Sequence, residues 1–107
     1  MDIKTRNRIK KELSNKKALV KCACDFNVLG DLTRMKICYL LCKHKELSVS
    51  EIAGLVGVSV SAVSHSLKAL RKCCLVKSRR DIKSVYYRID KESPLFGTVK
   101  RQITQSR

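Results

Sequence analysis

The stretch from Ser48 to Leu70, SVSEIAGLVGVSVSAVSHSLKAL, decides the fold. Ser48 followed three residues later by Glu51 is a capping box: the hydroxyl accepts from the Glu51 N–H while the carboxylate reaches back to the Ser48 N–H. It opens a short helix carrying Ile52, Leu55 and Val56, which Gly57 ends. Ser59 caps a second helix whose core face is Val63, Leu67 and Leu70, at spacings of 4 and 3. Ser61, Ala62, His65 and Lys68 fall on its other side. Two short helices joined by a tight glycine-containing turn make a helix-turn-helix, whose second helix ordinarily enters a major groove.

Upstream, Thr5 to Leu29 lacks glycine and proline and reads as one helix, basic at first, apolar from Ala18 and ended by Gly30. Asp31 then caps another, with Leu32, Met35, Tyr39 and Cys42 spaced 3, 4 and 3, and Ile37, Leu40 and Leu41 widening the apolar face. Lys43, His44 and Lys45 close it at the negative pole of its dipole. Downstream the period changes. Leu75-Val76 and Val85 to Ile89 read as two strands around a charged tip, Arg79 to Lys83, and a last helix follows from about Pro94 to Gln105. The expected fold is mostly α with a small β-hairpin: a winged helix-turn-helix with a two-stranded wing and a C-terminal helix. It occupies 1–107 as a single domain, with a basic N-terminal arm at about 1–17.

Composition agrees with a small nucleic-acid binder. The 107 residues, 44% of them hydrophobic, suffice for one modest core. No run approaches the ~18 apolar residues of a membrane span, and the basic N-terminus has no apolar region of a secretory signal. Six cysteines without such a signal read as reduced thiols, which places the chain in the cytoplasm. A membrane protein, a secreted miniprotein and a large enzyme are thereby excluded. The net charge of +15 is clustered. Residues 1–21 hold eight basic and two acidic groups, residues 22–67 four of each, and residues 68–88 eight basic groups against Asp81 alone. A neutral middle flanked by cations points to a polyanion, nucleic acid ahead of membrane.

Four motifs in order then resemble the ArsR/SmtB family over about residues 18 to 95. They are Leu29-Gly30-Asp31-Leu32-Thr33-Arg34-Met35-Lys36-Ile37, Leu47-Ser48-Val49-Ser50-Glu51-Ile52-Ala53, Val63-Ser64-His65-Ser66-Leu67-Lys68-Ala69-Leu70-Arg71 and Val85-Tyr86-Tyr87-Arg88-Ile89. The resemblance implies a homodimer paired through its first and last helices on an inverted-repeat operator in double-stranded DNA. It also implies a repressor that an inducer releases, often a thiophilic metal ion or arsenite. Ser59, Val60, Ser61, Ala62, Ser64, His65 and Lys68 are then the expected groove-facing residues, with Arg79, Arg80 and Lys83 on phosphate or in the minor groove at the wing. Val60 stands where many members carry Gln; a thymine methyl and a core contact both suit it. The wing lacks the glycine usual in the family.

The sensing side departs from the family. Its best-known metal box places cysteines where this chain has Ser48 and Ser50, and residues 93–107 contain no His, Cys, Asp or Glu. Three cysteine pairs remain. Cys38 and Cys42, one helical turn apart, read as small core hydrophobes. Cys73 resembles the second of two cysteines that certain cadmium and lead sensors carry at the end of the recognition helix, with Ala69 in the first position. Cys74 replaces a helix-closing glycine. The candidate thiol or metal site is Cys73 and Cys74 with Cys22 or Cys24 across the dimer, since a soft ion wants three or four sulfurs. The alternatives are a DNA-binding protein of this fold that does not sense, or one that responds to thiol oxidation. A thiol redox enzyme lacks support: no Cys-x-x-Cys and no nucleophile–base pair is present, so no catalytic residue is assigned.

Overall fold

A computed structural model describes residues 1–15 and 17–105, and among these it describes side chains outside positions 15–22 and 105. The elements run α1 (Ile3–Asn15), α2 (Lys17–Leu29), α3 (Leu32–Lys43), β1 (Leu47–Ser48), α4 (Val49–Val56), α5 (Val60–Lys72), β2 (Val76–Arg80), β3 (Val85–Ile89) and α6 (Phe96–Gln105). The first expected helix is thus described as two, with Lys16 between them outside the described residues. The last helix begins at Phe96, two residues past Pro94.

The three anticipated caps form as the side-chain chemistry requires. Asp31 accepts from the Arg34 amide at 3.0 Å. Ser59 accepts from the Ala62 amide at 3.0 Å. At Ser48 both halves of the capping box close, at 3.1 Å and 2.9 Å. Gly57 ends α4 in the left-handed region, φ 81°, where a side chain would be strained. Gly30 serves differently: it is not left-handed, but a Cβ there would lie 2.7 Å from the Phe26 carbonyl oxygen.

The wing is larger than a hairpin. β1 joins it, giving an antiparallel sheet ordered β1-β3-β2 with Ser48 opposite Tyr86 and Val76 opposite Ile89. Two residues are too few for sequence alternation to mark a strand, which is why the expected two-stranded wing gains a third. The glycine-free turn closes with the Asp81 amide donating to the Ser84 carbonyl at 2.8 Å and the Ile82 amide to the Asp81 carboxylate at 2.7 Å.

The core gathers Ile37, Cys38, Leu41, Ile52, Val63, Leu67, Leu70, Leu75 and Val99, each almost wholly buried. The α5 face read from spacing is all there. Two other expected faces are not. Leu55 is exposed and Ala53 is buried in its place, and the Leu32–Tyr39 stripe of α3 turns outward, Leu32 being 71% exposed. Helix α3 is apolar on two sides, and Ile37, Cys38 and Leu41 take the core side.

Candidate nucleic-acid interface and thiol cluster

The helix-turn-helix consists of α4 and α5, bent by 110° across the Gly57 turn. Burying Val63, Ser66, Leu67 and Leu70 leaves the opposite side of α5 bare. Ser59, Val60, Ser61, Ala62, Ser64, His65 and Lys68 are all exposed there. Val60 is 50% exposed, which removes the core alternative for it. The free amides of the first turn and the three small hydroxyls suit phosphate oxygens and base edges, and Lys68, Arg71 and Lys72 extend the cationic side toward the helix end.

The wing presents its cations unequally. Arg80 and Lys83 are exposed. Arg79 is in β2 rather than at the tip, and its Nε and Nη2 donate to the Glu46 carboxylate at 2.7–3.0 Å while its guanidinium lies 4.6 Å from the Tyr86 ring centroid. Glu46, hydrogen-bonded by Arg79, is held below the usual carboxylate range. The pair fastens β2 to the segment before β1, so Arg79 is a wing-bracing residue before it is a phosphate ligand. Sequence reading missed Ile82, 97% exposed at the apex. A lone apolar residue in a charged tip was the available signal, and such residues can wedge between base steps.

Among the described residues, the cysteine sulfurs form one pair and three single thiols. Cys24 of α2 and Cys73, the C-cap of α5, are joined in a disulfide across 49 residues of sequence, their Cα atoms 5.7 Å apart. The expectation of six reduced thiols is corrected at this pair: the fold brings α2 against the end of α5 within the roughly 4.4–6.8 Å a disulfide spans. Cys24 therefore meets Cys73 within one chain. Cys22's side chain lies outside the described residues. Cys38 is wholly buried and its thiol is pushed up to about 12 by burial, with Cys42 adding to it. Cys42, half-buried, is also raised by burial, against Lys100, Lys43 and Lys91.

Cys74 is exposed and left-handed, φ 60°. The Leu75 amide donates to the Leu70 carbonyl at 3.1 Å and the Cys74 amide to the Arg71 carbonyl at 2.9 Å. That is a Schellman closure, with cysteine where glycine fits best. Among the described residues, no three His, Cys, Asp or Glu side chains gather to hold a metal ion.

An exposed reading helix beside a basic three-stranded wing defines a winged-helix DNA-binding protein. The model of bacterial regulatory proteins of the arsR family matches residues 31–78. A cadmium resistance transcriptional regulatory protein CadC homolog of Staphylococcus aureus is 37% identical over 86 residues, 80% of this chain and 70% of that protein. A cadmium resistance regulator, CadC, of Listeria innocua is 42% identical over 62 residues, 58% of this chain and 52% of its own length. Among solved structures, the homodimeric winged helix-turn-helix DNA-binding domain of a possible ArsR-family regulator from Mycobacterium bovis superposes with TM-score 0.68 at 30% identity, covering 82% of each chain. The chain belongs to the arsR family of bacterial regulatory proteins: it is a DNA-binding transcriptional regulator of the ArsR/SmtB type, not an enzyme.

Proposed function

We propose that the protein is a homodimeric repressor that reads an inverted-repeat operator with α5 and the wing, and leaves it when an inducer reaches the thiols between α2 and α5. The single observation that carries the DNA half is the bare, capped face of α5 from Ser59 to Lys68, opposite a side sealed in the core. Arg80 and Lys83 reach the flanking phosphates, and Arg79 contributes through the wing it braces.

The dimer reading rests on an apolar face that one chain leaves bare. Leu29, Leu32, Met35, Tyr39 and Ile103 line a groove of about 510 Å³ between α2, α3 and α6, and Phe26 beside it is 75% exposed. A second copy covers this face through its first and last helices, in line with the homodimeric relative. The contiguous apolar patch is of the kind that soluble monomers rarely expose.

For the inducer, the cadmium regulators among the relatives support a thiophilic ion, and the family name supports arsenite. One protomer, however, brings together two sulfurs, Cys24 and Cys73, with no third donor among the described residues. The described residues of one protomer therefore do not by themselves build a three- or four-sulfur site. Cys74 and Cys22 are the remaining candidates to complete such a site across the dimer.

The test is fluorescence anisotropy of the reduced protein on duplex from its own upstream region, titrated with arsenite, Cd(II), Pb(II) and Zn(II). Release of specifically bound duplex by one of them at near-stoichiometric level supports the full reading. Tight specific binding indifferent to all four keeps the operator and removes the metal. Salt-steep binding without sequence preference sinks the operator itself.

A further inference from the structure

We propose that the cleft between the C-terminal end of α3 and the base of the wing is a binding site for a small organic polyphosphate, of the class of a nucleoside triphosphate. Neither the reading face of α5 nor the Cys24–Cys73 pair lines it, so it stands or falls apart from the operator reading.

The cleft encloses about 470 Å³, within the ~300–1,000 Å³ of small-molecule sites. Its floor is apolar: Leu41 and Ile89 are buried, and Cys42 beside them is half-buried. Its rim carries Lys43 and Lys45 at the end of α3, Lys77 of β2, Arg88 of β3 and Lys91 just beyond, all exposed. Asp90 is the one carboxylate among the lining residues, and it is already engaged: Oδ1 accepts from the Glu92 amide at 3.0 Å and Oδ2 lies 3.9 Å from the Lys77 Nζ. Glu46, close to Lys45 and Arg88, is taken up by Arg79. Among the described residues, no ion pair holds Lys43, Lys45, Arg88 or Lys91.

Backbone bonds fix the three segments that bring these cations together. The His44 amide donates to the Leu40 carbonyl at 2.9 Å and holds the end of α3. Lys77 and Arg88 are register partners in the ladder, so they share one face of the sheet. The Asp90 amide donates to the Leu75 carbonyl at 2.8 Å. The charges also converge. Lys100 of α6, Lys43 and Lys91 each draw the Cys42 thiol toward ionisation, against the burial that raises it.

Like charges held this close repel one another, and a bound polyanion removes that repulsion. Five cations less one carboxylate leave the rim a formal +4. A phosphate monoester carries about −1.5 to −2 at pH 7, so one phosphate undermatches the rim and a triphosphate chain suits it. The organic part then lies on the Leu41 and Ile89 floor. The Lys77–Arg88 pair stands three ladder steps from Arg80–Val85, ~10 Å at ~3.4 Å per residue, which puts the cleft at the base of the wing and not at its tip. In sequence, Lys43-His44-Lys45 reads only as a helix end within a stretch of zero net charge; the fold is what joins it to the basic segment 68–88.

The test is calorimetric titration of the whole protein, without duplex, with ATP, AMP and inorganic phosphate. At ~0.15 M salt distant charges are screened beyond ~8 Å, which suppresses general attraction to a basic chain. ATP should bind once per chain, at least tenfold tighter than AMP, with inorganic phosphate weaker still. Lys43→Glu with Lys91→Glu should weaken ATP binding at least tenfold. Lys10→Glu with Lys11→Glu, an equal change of net charge on exposed positions of α1, should alter it less than twofold. Should the first reversal unfold the chain, Lys43→Gln with Lys91→Gln serves instead, with a loss of at least threefold expected. Several ATP per chain, equal weakening by the two double variants, or no ATP binding at this salt overturns the inference. On duplex, the Lys43 and Lys91 variant should keep the native salt slope. A slope shallower by about 1.8, two phosphates' worth, assigns these cations to the DNA backbone, which overturns the inference and supports the operator reading. One ATP bound in the cleft by a protein that binds no duplex sinks the operator reading and leaves this one standing.

Discussion

Cys74 occupies a backbone position that costs an L-residue about 1–2 kcal/mol. Its left-handed φ of 60° is imposed by the Schellman bonds that let α5 end and β2 begin within four residues. Cys74→Gly should therefore raise the unfolding free energy by about 1 kcal/mol, the gain being trimmed by glycine's larger unfolded-state entropy. Urea denaturation at constant m would show it, and an unchanged or lower midpoint would refute it. Cys38 gives a pH signature. Because its thiol is pushed up to about 12 in the folded chain from an ordinary 9.0, the folded state holds the proton longer than the unfolded one. Stability is then intact below pH 9 and falls as pH rises from 9 toward 12. Cys38→Ala should flatten that alkaline loss in denaturation curves taken on either side of pH 9. The strain at position 74 was legible in sequence, because a cysteine stood where a helix needs to close. The partner of Cys73 was not: no spacing rule connects residues 49 apart, and only the fold brings Cys24 of α2 to the end of α5.

At the scale of elements, caps did most of the fixing. Asp31, Ser48 and Ser59 were readable because a side-chain oxygen three residues ahead of an amide is a local geometry, independent of the rest of the chain. Ser48→Ala should cost about 0.5–2 kcal/mol. Thermal unfolding would measure it, and a loss well below that range would mean β1 alone sets the start of α4. The capping glutamate, held below the usual carboxylate range by the Ser48 amide and hydroxyl, adds a contribution present above its unfolded pKa and lost as pH falls through the folded one. The wing was half legible. Alternation marked β3, but β1 is two residues long, and the ion pair that ties Arg79 to Glu46 spans 33 positions. Removing exposed wing cations should show directly in salt dependence. Arg80→Ala or Lys83→Ala should each lower the slope of log K against log salt by about 0.9 for every phosphate the native side chain neutralises, while Glu46→Gln should act less directly, by loosening the wing.

For the molecule as a whole, charge and apolarity divide the surface into a polyanion-seeking side and a self-seeking side. The first was read from the clustering of cations. The second was present in sequence as the Leu32, Met35, Tyr39 stripe but was read as one apolar face with Ile37, Leu40 and Leu41, because a helix with two apolar sides offers no local clue to which one faces inward. The core took Ile37, Cys38 and Leu41. Leu32→Glu, on a residue 71% exposed, should barely change the folding of a protomer but should halve the mass seen by light scattering and weaken operator binding by well over tenfold. A variant that remained dimeric with native affinity would move the dimer face elsewhere.

Ser48 belongs to two structures at once: it pairs with Tyr86 as the end of β1 and caps α4 with its hydroxyl. The sheet and the reading helices thus meet at one residue with no hinge between them. A head built this way is a stiff calliper. On the proposed reading, in which α5 enters a major groove and the wing its neighbouring minor groove, sites with identical half-site sequence but different intrinsic curvature would be sorted by the cost of bending the DNA to fit.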